Sequence, residues 1–346
     1  SITAKNDPKD TVRVYPSMAE QGYAAWENGG FLHQVKTAEV IKFRSLAEAL
    51  EKPGEFVMVS PMMDFSMEST VHLLNASLLE YCEDNSGVLP SLHDPIAAGK
   101  ILGIAKAINA RGAELKAKEE SEKQKPAQAE EEEEDPTDES PAKPPAPPAP
   151  TYFAADFVDE DFIKRSALLA EAQLQPLAAF FGAVVAQEVV KVTGKYMPVN
   201  QWLNIHWGEA LPEADPVDND NFKVPGSRYD NLIGIFGKDF VQKLHDLKIF
   251  MVGCGALGCE NIKNFALCGI ACNGSGSLIV TDNDRIEVSN LNRQFLFRED
   301  NVGQPKSVAA QGRASHMNPS INIEALQEFV GPTTEHIFHD EFWMNL

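Results

Sequence analysis

The sequence predicts a partial α/β domain with a parallel sheet, preceded by a helical bundle and by the end of a small β-rich domain. Three observations carry this prediction. Between residues 226 and 346, short apolar runs alternate with helical patterns, which is typical of a parallel sheet. Between residues 44 and 175, apolar residues recur at helical spacing. In residues 1–43, apolar and polar residues alternate as they do in strands.

Composition narrows the class of protein. The chain has 346 residues, enough for two or more domains, and a formal net charge of −21. That charge argues against nucleic acid and against an anionic membrane surface as partners. No apolar run approaches the roughly 20 residues that a membrane-spanning helix needs. The five cysteines include no CxxC pair, which predicts reduced thiols and neither a disulfide framework nor a zinc site.

Residues 44–175 are expected to form the helical bundle, with one long insertion. Helices are predicted over residues 69–82, from Asp94-Pro95 to about residue 111, and from a cap at Asp159 or Asp161 to residue 174. Residues 112–150 combine Lys, Glu and Ala with an acidic run and a Pro/Ala run, and they have almost nothing to bury. Segments of that composition are expected to be disordered.

Residues 176–225 connect the bundle to the C-terminal domain. They begin with a strongly apolar helix over residues 177–192, whose small residues permit close packing against another helix or sheet. A strand is predicted over residues 201–207, and residues 215–225 are predicted to be a polar linker.

The C-terminal segment, residues 226–346, begins its α/β pattern with a strand over residues 247–252. The glycine loop Gly253-Cys254-Gly255-Ala256-Leu257-Gly258 follows, then a helix to about Cys268 and a second strand over residues 278–281. In a loop of this kind, backbone amides can approach a phosphate at the helix N-terminus. Asp282, directly after the second strand, is suited to accept hydrogen bonds from ribose hydroxyls. The pattern predicts a Rossmann-like nucleotide cleft that includes Gly253, Gly255, Gly258 and Asp282.

A polar cluster follows this cleft, ahead of a predicted helix over residues 306–316 and a strand over residues 322–326. Arg293 can bridge two phosphate oxygens, and Lys306 adds a point charge. Asn290 and Asn292 can orient phosphates or an attacking carboxylate, and Asp284 can position magnesium or the basic groups. Attack on the α-phosphorus of a triphosphate needs such groups, because negative charge grows on the phosphorus and on the departing pyrophosphate.

Several strings carry a family resemblance, of which the one from Ser289 to Arg298 is the most specific. The others are Arg228-Tyr229-Asp230-Asn231, the glycine loop with Cys259-Glu260, Thr281-Asp282-Asn283-Asp284, Lys306-Ser307 and Met317-Asn318-Pro319. On these strings the sequence resembles the ubiquitin-activating enzyme family, which is related to the bacterial MoeB and ThiF adenylyltransferases. Only residues 112–150 fall outside the resemblance.

The resemblance implies an assignment for each segment. Residues 1–43 would be the end of the first catalytic cysteine half-domain, and residues 44–175 a four-helix bundle. Residues 176–225 would be the end of the inactive adenylation domain and a linker. Residues 226–346 would be the N-terminal part of the active, ThiF-type adenylation domain.

The resemblance also implies a reaction. With ATP and Mg²⁺, such an enzyme adenylates the C-terminal carboxylate of ubiquitin, takes ubiquitin onto a cysteine as a thioester and passes it to conjugating enzymes. Ala256 and the glycine loop would lie under the nucleotide, and Asp282 would hold the ribose. Asn290, Arg293 and Lys306 would contact phosphates, with Asp284 supporting them.

The resemblance further implies which parts of the enzyme lie outside this chain. These are the main magnesium-binding aspartate, in a DNxxAR element, and the catalytic cysteine, so none of the present residues is assigned to the metal. The intact enzyme would be a monomeric pseudo-dimer of two adenylation halves, located in cytoplasm and nucleus.

Two other functions stay open on the sequence. One is an NAD-dependent oxidoreductase, which shares the glycine loop and the ribose acid but does not need the cluster from Asn290 to Lys306. The other is a non-catalytic scaffold that keeps the Rossmann-like fold. ATP binding would favour the ubiquitin-activating enzyme, and nicotinamide binding without ATP binding would favour the oxidoreductase. Adenylation of ubiquitin would favour the enzyme over the scaffold.

Overall fold

The computed structural model describes residues 42–54, 57–59, 67–123, 151–194 and 196–346. The predicted β-rich segment lies outside these ranges except for its last two residues. The chain divides into two compact units, Ser1–Phe43 and Arg44–Leu346. The helices and strands reported below all belong to the second unit.

Three helices form the core of the bundle. After the short helix α1 (Leu46–Glu51) come α2 (Glu68–Asp84), α3 (Pro95–Lys123) and α4 (Glu160–Leu168). Helices α2, α3 and α4 pack around fully buried Leu73, Ile101 and Ile163. Asp94 Oδ1 accepts the backbone N–H groups of Ile96 and Ala97 at 2.9 and 3.0 Å, which caps the start of α3.

The start of α4 is also capped, and its end departs from the prediction. Asp159 Oδ1 accepts the N–H of Phe162 at 2.9 Å, so Asp159, of the two predicted candidates, is the cap. The predicted end at residue 174 is wrong, because the helix stops at Leu168. Beyond it, the Glu171 carboxylate accepts the N–H of Leu92 at 3.0 Å, and Pro176 opens the next helix. Leu174, directly before α5, has extended backbone with φ −100° and ψ 124°, so the two helices are separate.

The insertion begins later than predicted. The prediction that residues 112–123 are disordered is wrong, because α3 continues to Lys123. This stretch is rich in Ala, Glu, Leu and Lys, which are strong helix formers, and Leu115 is half-buried. The Glu119 carboxylate accepts the N–H of Tyr152 at 3.4 Å and lies 3.8 Å from the Lys52 ammonium. Residues 124–150 lie outside the described ranges.

A small two-stranded sheet joins the bundle to the next segment. Strand β1 (Val57–Val59) pairs in parallel with β2 (Leu203–Ile205), with Val57 opposite Leu203. Strand β2 occupies the middle of the strand predicted over residues 201–207. Between α4 and β2 lies helix α5 (Gln175–Lys191), close to the predicted bounds of 177–192.

The C-terminal segment has the predicted parallel sheet. After helices α6 (Asp230–Phe236) and α7 (Lys238–His245), the elements that form and cover the sheet follow in chain order: β3 (Lys248–Val252), α8 (Ala256–Cys268), β4 (Ser277–Thr281), α9 (Lys306–Met317), β5 (Ile323–Leu326) and α10 (Asp340–Met344). The strands are ordered β3-β4-β5 and are all parallel, with Val252 opposite Thr281 and Thr281 opposite Leu326. The carboxyl ends of the three strands therefore meet at one edge.

Both faces of this sheet are covered. On one face α8 and α9 pack over Leu278 and Val280, which are fully buried together with Ile262 of α8. On the other face Phe250 of β3 stacks against rings of α10 and the turn before it: Phe338, Phe342 and Trp343, with ring centroids 5.0–5.5 Å from its own. Successive strand residues point to opposite faces, which explains the split between Phe250 and its neighbours.

The strongly apolar helix α5 is an exception to the usual burial of apolar residues. It lies against α8, but none of its residues is buried, and Phe181 and Val189 are 42% and 65% exposed. Separately, none of the helices within the described ranges has both the length and the apolar character needed to cross a bilayer.

Asn318 joins α8, α9 and the segment before α6. Its amide nitrogen lies 2.9 Å from the Tyr229 hydroxyl oxygen, 2.8 Å from the Ala266 carbonyl oxygen and 3.2 Å from the Cys272 sulfur. The side chain is 1% exposed, so water cannot replace these partners.

We expect Asn318→Ala to lower the free energy of unfolding by about 1–3 kcal/mol, because it leaves a buried carbonyl without a donor. Urea denaturation followed by circular dichroism measures this change. Asn345→Ala is the control, since Asn345 is exposed and its side-chain amide donates only to the Glu341 carbonyl within the described ranges. Equal midpoints for both variants would contradict the structural role of Asn318.

Candidate functional site

The glycine loop joins the carboxyl end of β3 to α8. Gly253 has φ +99°, a conformation that favours glycine, and its N–H donates to the Thr281 carbonyl at 2.8 Å. A Cβ on Gly258 would lie 2.3 Å from the Gly253 carbonyl oxygen. Two of the three glycines are thus required by the fold itself, one for the turn and one for the close packing of α8.

Gly255 has a different character. It is the N-cap of α8, and no described side chain caps this terminus. A Cβ on Gly255 would meet nothing within 4 Å. The first backbone N–H groups of α8, beginning at Ala256, form the positive end of the helix dipole. The first turn contains no acidic side chain that would neutralise this end. The loop is therefore an open cradle that fits an anion such as phosphate.

Asp282 lies beside this cradle at the end of β4. Its Oδ2 accepts the N–H of Cys254 at 2.7 Å, and its Oδ1 accepts the N–H of Asp284 at 2.8 Å. The carboxylate thus bonds both to the glycine loop and to the turn that follows β4. Each carboxylate oxygen has a further lone pair, so Asp282 can still accept hydrogen bonds from ribose hydroxyls.

Asp284 and Lys306 form an ion pair. The Lys306 ammonium lies 2.7 Å from Asp284 Oδ2, and the Lys306 backbone N–H donates to the Asp284 carbonyl at 3.0 Å. Lys306 is the first residue of α9 and is 8% exposed, whereas the Asp284 side chain is 64% exposed. The pair keeps the lysine at the sheet edge, with its partner open to solvent.

Asn290, Asn292 and Arg293 form a second, local group. Arg293 Nη1 donates to the Ser289 carbonyl at 3.0 Å and to Asn292 Oδ1 at 3.1 Å. Asn290 is buried, and its Oδ1 accepts the N–H of Glu287 at 3.0 Å. The Asn290 amide N–H₂ is the part of that side chain left to orient a ligand. No hydrogen bond recorded between described residues joins this group to Asp282, Asp284 or Lys306.

Packing nevertheless brings the Arg293 segment to α8. The Leu296 backbone lies close to Cys259 in the first turn of α8, whose thiol donates to the Cys254 carbonyl at 3.6 Å. The Lys263 ammonium lies 5.1 Å from the centre of the Phe295 ring. Leu296 and Phe297 belong to the same buried core as α8 and α9. The two groups of predicted residues therefore border the same helix, and their individual roles stay predictions.

Gln294 was not among the site residues predicted from the sequence. Its side chain is 4% exposed, and its Oε1 has no hydrogen-bond partner among the described residues. Gln294 follows Arg293 in the string from Ser289 to Arg298, and this position is the sequence signal that could have identified it.

The four cysteines of this domain are buried and free. Burial raises the pKa of Cys254 to about 12, with the nearby Asp282 charge adding to the effect. Burial likewise raises the pKa of Cys259 to about 11 and raises the pKa values of Cys268 and Cys272. These thiols stay protonated at neutral pH, and a protonated thiol is a poor nucleophile.

We expect iodoacetamide at pH 8 to alkylate half-exposed Cys82 and to spare these four cysteines until the protein unfolds. The reason is that alkylation needs both access and a thiolate. Peptide mass spectrometry with and without urea measures the modification at each site. Fast alkylation of Cys254 in the folded protein would contradict the assigned burial and pKa.

A metal site made by protein groups alone is not present in the part of the chain that the structure describes. No group of three or more His, Cys, Asp or Glu side chains there is arranged to hold a metal ion. Asp284 is linked to the glycine loop through Asp282, and its carboxylate is already paired with Lys306. A magnesium ion here would need oxygens from the nucleotide, which is the usual way Mg²⁺ is held.

Comparison with known families defines the class of this domain. Residues 229–344 match the ThiF family, and residues 37–109 match the ubiquitin-activating enzyme E1 four-helix bundle. The parallel sheet and the open glycine loop are thus those of a ThiF/MoeB-like adenylation fold. The chain thus contains a ThiF-family segment and a segment of the ubiquitin-activating enzyme E1 four-helix bundle, which confirms the resemblance.

The relatives are considerably longer than this chain. Over 325 residues the chain is 39% identical to "Ubiquitin-activating enzyme E1 1" of Arabidopsis thaliana, covering 94% of this chain and 26% of that protein. Over 326 residues it is 36% identical to human "Ubiquitin-like modifier-activating enzyme 1", covering 94% and 27%. The chain therefore spans about a quarter of the length of these relatives. Among solved structures, Escherichia coli MccB aligns with 28% identity over 34% of this chain and 38% of that chain, at a TM-score of 0.30.

Proposed function

We propose that this chain provides the ATP-binding part of an enzyme that activates the C-terminal carboxylate of ubiquitin. The observation that carries the proposal is the open cradle at Gly255, joined through Asp282 and Asp284 to Lys306. The similarity to relatives that are named for the activation of ubiquitin supports ubiquitin as the substrate.

The chain's residues would act by position and charge. The triphosphate would lie against the first N–H groups of α8, and Asp282 would accept the ribose hydroxyls with its remaining lone pairs. An oxygen of the ubiquitin carboxylate attacks the α-phosphorus, the bond from that phosphorus to the bridging oxygen breaks, and pyrophosphate leaves. The products are ubiquitin adenylate and pyrophosphate, and no group of the enzyme forms a covalent bond in this step.

Arg293 and Lys306 would stabilise the charge that develops. Arg293 uses only Nη1 within the described residues, so its Nη2 and Nε can donate to phosphate oxygens. Lys306 would exchange Asp284 for a phosphate oxygen. Because Asp284 is largely in solvent, the carboxylate can be released without leaving a buried charge behind. Mg²⁺ would enter with ATP and neutralise part of the triphosphate charge.

The second step, formation of a ubiquitin thioester, would use a cysteine other than those of this domain. The four cysteines here are buried, and their raised pKa values disfavour the thiolate. We further propose that ubiquitin passes from that thioester to conjugating enzymes, and that the enzyme works in cytoplasm and nucleus.

The exposed apolar surface of α5 favours a pseudo-dimeric arrangement. In a protein about four times as long as this chain, further segments can cover Phe181 and Val189 and complete the second, inactive adenylation half. The monomeric enzyme would then contain two adenylation halves with one active ATP site.

ATP–pyrophosphate exchange by the full-length protein that contains this chain tests the proposal. We expect incorporation of labelled pyrophosphate into ATP that requires Mg²⁺ and ubiquitin with an intact C-terminal glycine. Ubiquitin lacking that glycine is the control, since it presents the carboxylate one residue short. Binding of NAD without ATP, or exchange that is independent of ubiquitin, would contradict the proposed function.

A further inference from the structure

Asp282 makes contacts that a ribose ligand alone does not require. Its two carboxylate oxygens accept one backbone N–H each, from Cys254 in the glycine loop at 2.7 Å and from Asp284 at 2.8 Å. These two donors belong to two different segments, the glycine loop and the turn after β4, that contribute groups to the predicted phosphate site. We infer that Asp282 is a positioning residue for the phosphate-binding groups, in addition to its proposed contact with ribose, and this inference rests on the proposed function.

On one side Asp282 fixes the glycine loop. The turn at Gly253 is held by one backbone bond, from its N–H to the Thr281 carbonyl at 2.8 Å. The next N–H, that of Cys254, points to Asp282. Gly255 and the start of α8 follow without a side-chain cap. The direction of the first α8 amides toward a phosphate thus depends on two bonds to the end of β4, of which the one to Asp282 involves a charged acceptor.

On the other side Asp282 fixes Lys306. The Asp284 N–H bonds to Asp282, the Asp284 carbonyl accepts the Lys306 N–H at 3.0 Å, and the Asp284 carboxylate holds the Lys306 ammonium. Ser307 extends this link, since its hydroxyl lies 3.5 Å from the Asp282 carbonyl oxygen and its side chain is fully buried. A displaced Asp282 would therefore move both the amides and the ammonium that face the phosphates.

This arrangement makes a prediction that a pure ribose contact does not make. Asp282→Asn keeps the size of the side chain but replaces one acceptor oxygen by an N–H₂ donor. One of the two backbone N–H groups would then face another donor, and that bond is lost. Binding of the triphosphate should weaken even when the nucleotide has no ribose hydroxyls.

The test compares ATP with 2′,3′-dideoxy-ATP by calorimetry, in the wild-type and Asp282→Asn full-length proteins. We expect Asp282→Asn to weaken dideoxy-ATP binding by about tenfold or more, because the glycine-loop amides would no longer be pre-organised to face the phosphates. Inorganic tripolyphosphate, measured as a competitor of ATP, should lose affinity in the same direction.

Asp246→Asn is the matched control. Asp246 also accepts a backbone N–H, from Ser275 at 3.1 Å, but it precedes β3 and so lies at the opposite edge of the sheet. Thermal denaturation of both variants measures any general loss of stability. We expect Asp246→Asn to keep wild-type affinity for dideoxy-ATP.

Three results would overturn the inference. One is Asp282→Asn weakening ATP but not dideoxy-ATP, which would leave Asp282 as a ribose contact only. Another is an equal loss of dideoxy-ATP affinity in Asp246→Asn, which would show an effect of stability. The last is wild-type protein that binds neither nucleotide, which contradicts the proposed function itself and the inference with it.

Discussion

Arg293→Ala is expected to reduce ubiquitin-dependent ATP–pyrophosphate exchange by about a hundredfold to a thousandfold, the usual effect of removing one transition-state donor. Arg293 is exposed, and its Nη1 is fixed by the Ser289 carbonyl and Asn292 Oδ1. This tether orients the guanidinium, so that the remaining donors can bridge two phosphate oxygens. Exchange of labelled pyrophosphate at saturating ATP and ubiquitin measures the loss.

Two further variants separate charge from geometry. Arg293→Lys keeps the charge but cannot form two parallel bonds, and we expect it to recover only part of the activity. Arg313→Ala removes an equal charge from α9 and should exchange like wild type, because the half-buried Arg313 side chain makes no hydrogen bond or ion pair within the described ranges. Full exchange by a folded Arg293→Ala protein would rule out the assigned role of Arg293.

Gly258→Ala is expected to destabilise the C-terminal domain by about 3 kcal/mol, at the upper end for overpacking. The added Cβ would lie 2.3 Å from the Gly253 carbonyl oxygen, and a backbone atom cannot move aside as a side chain does. Thermal and urea unfolding measure the change. Gly312→Ala is the matched control: it is also a helical glycine, but its Cβ meets nothing within 4 Å, so we expect about 0.5–1 kcal/mol of stabilisation.

Gly255→Ala should lower ATP affinity and leave stability unchanged, whereas Gly258→Ala should lower stability. The Gly255 φ of −72° suits alanine, and the Cβ has open space, so folding and stability should be kept. The methyl group would instead occupy the cradle and reduce ATP affinity. A Gly255→Ala protein with unchanged ATP affinity would show that phosphate does not bind at this terminus, whatever happens to Gly258→Ala.

The parallel sheet could be predicted from the sequence because its signals are local. The runs around Ile249 and Leu278 have the length and apolar character of buried strands, and the glycine loop lies between them at the position where such folds turn. The predicted bounds of α8 and α9 differ from the structure by no more than about one residue. The helical end of α3 was not predicted, because the acidic and Pro/Ala runs that follow outweighed the helix-forming residues of this stretch; half-buried Leu115 and the contacts of Glu119 support the helix.

The candidate site was predicted as a set of residues, and its connections were not. The strings from Gly253 to Lys306 predict the nucleotide fold, phosphate chemistry and the family resemblance, because residue types at fixed spacing carry that information. Tertiary structure alone decided that Asp282 bonds to Cys254, 28 residues away, and that Lys306 pairs with Asp284, 22 residues away. Such partners are chosen by the alignment of strand ends in the sheet and by burial, and neither is encoded in the spacing of residues along the chain.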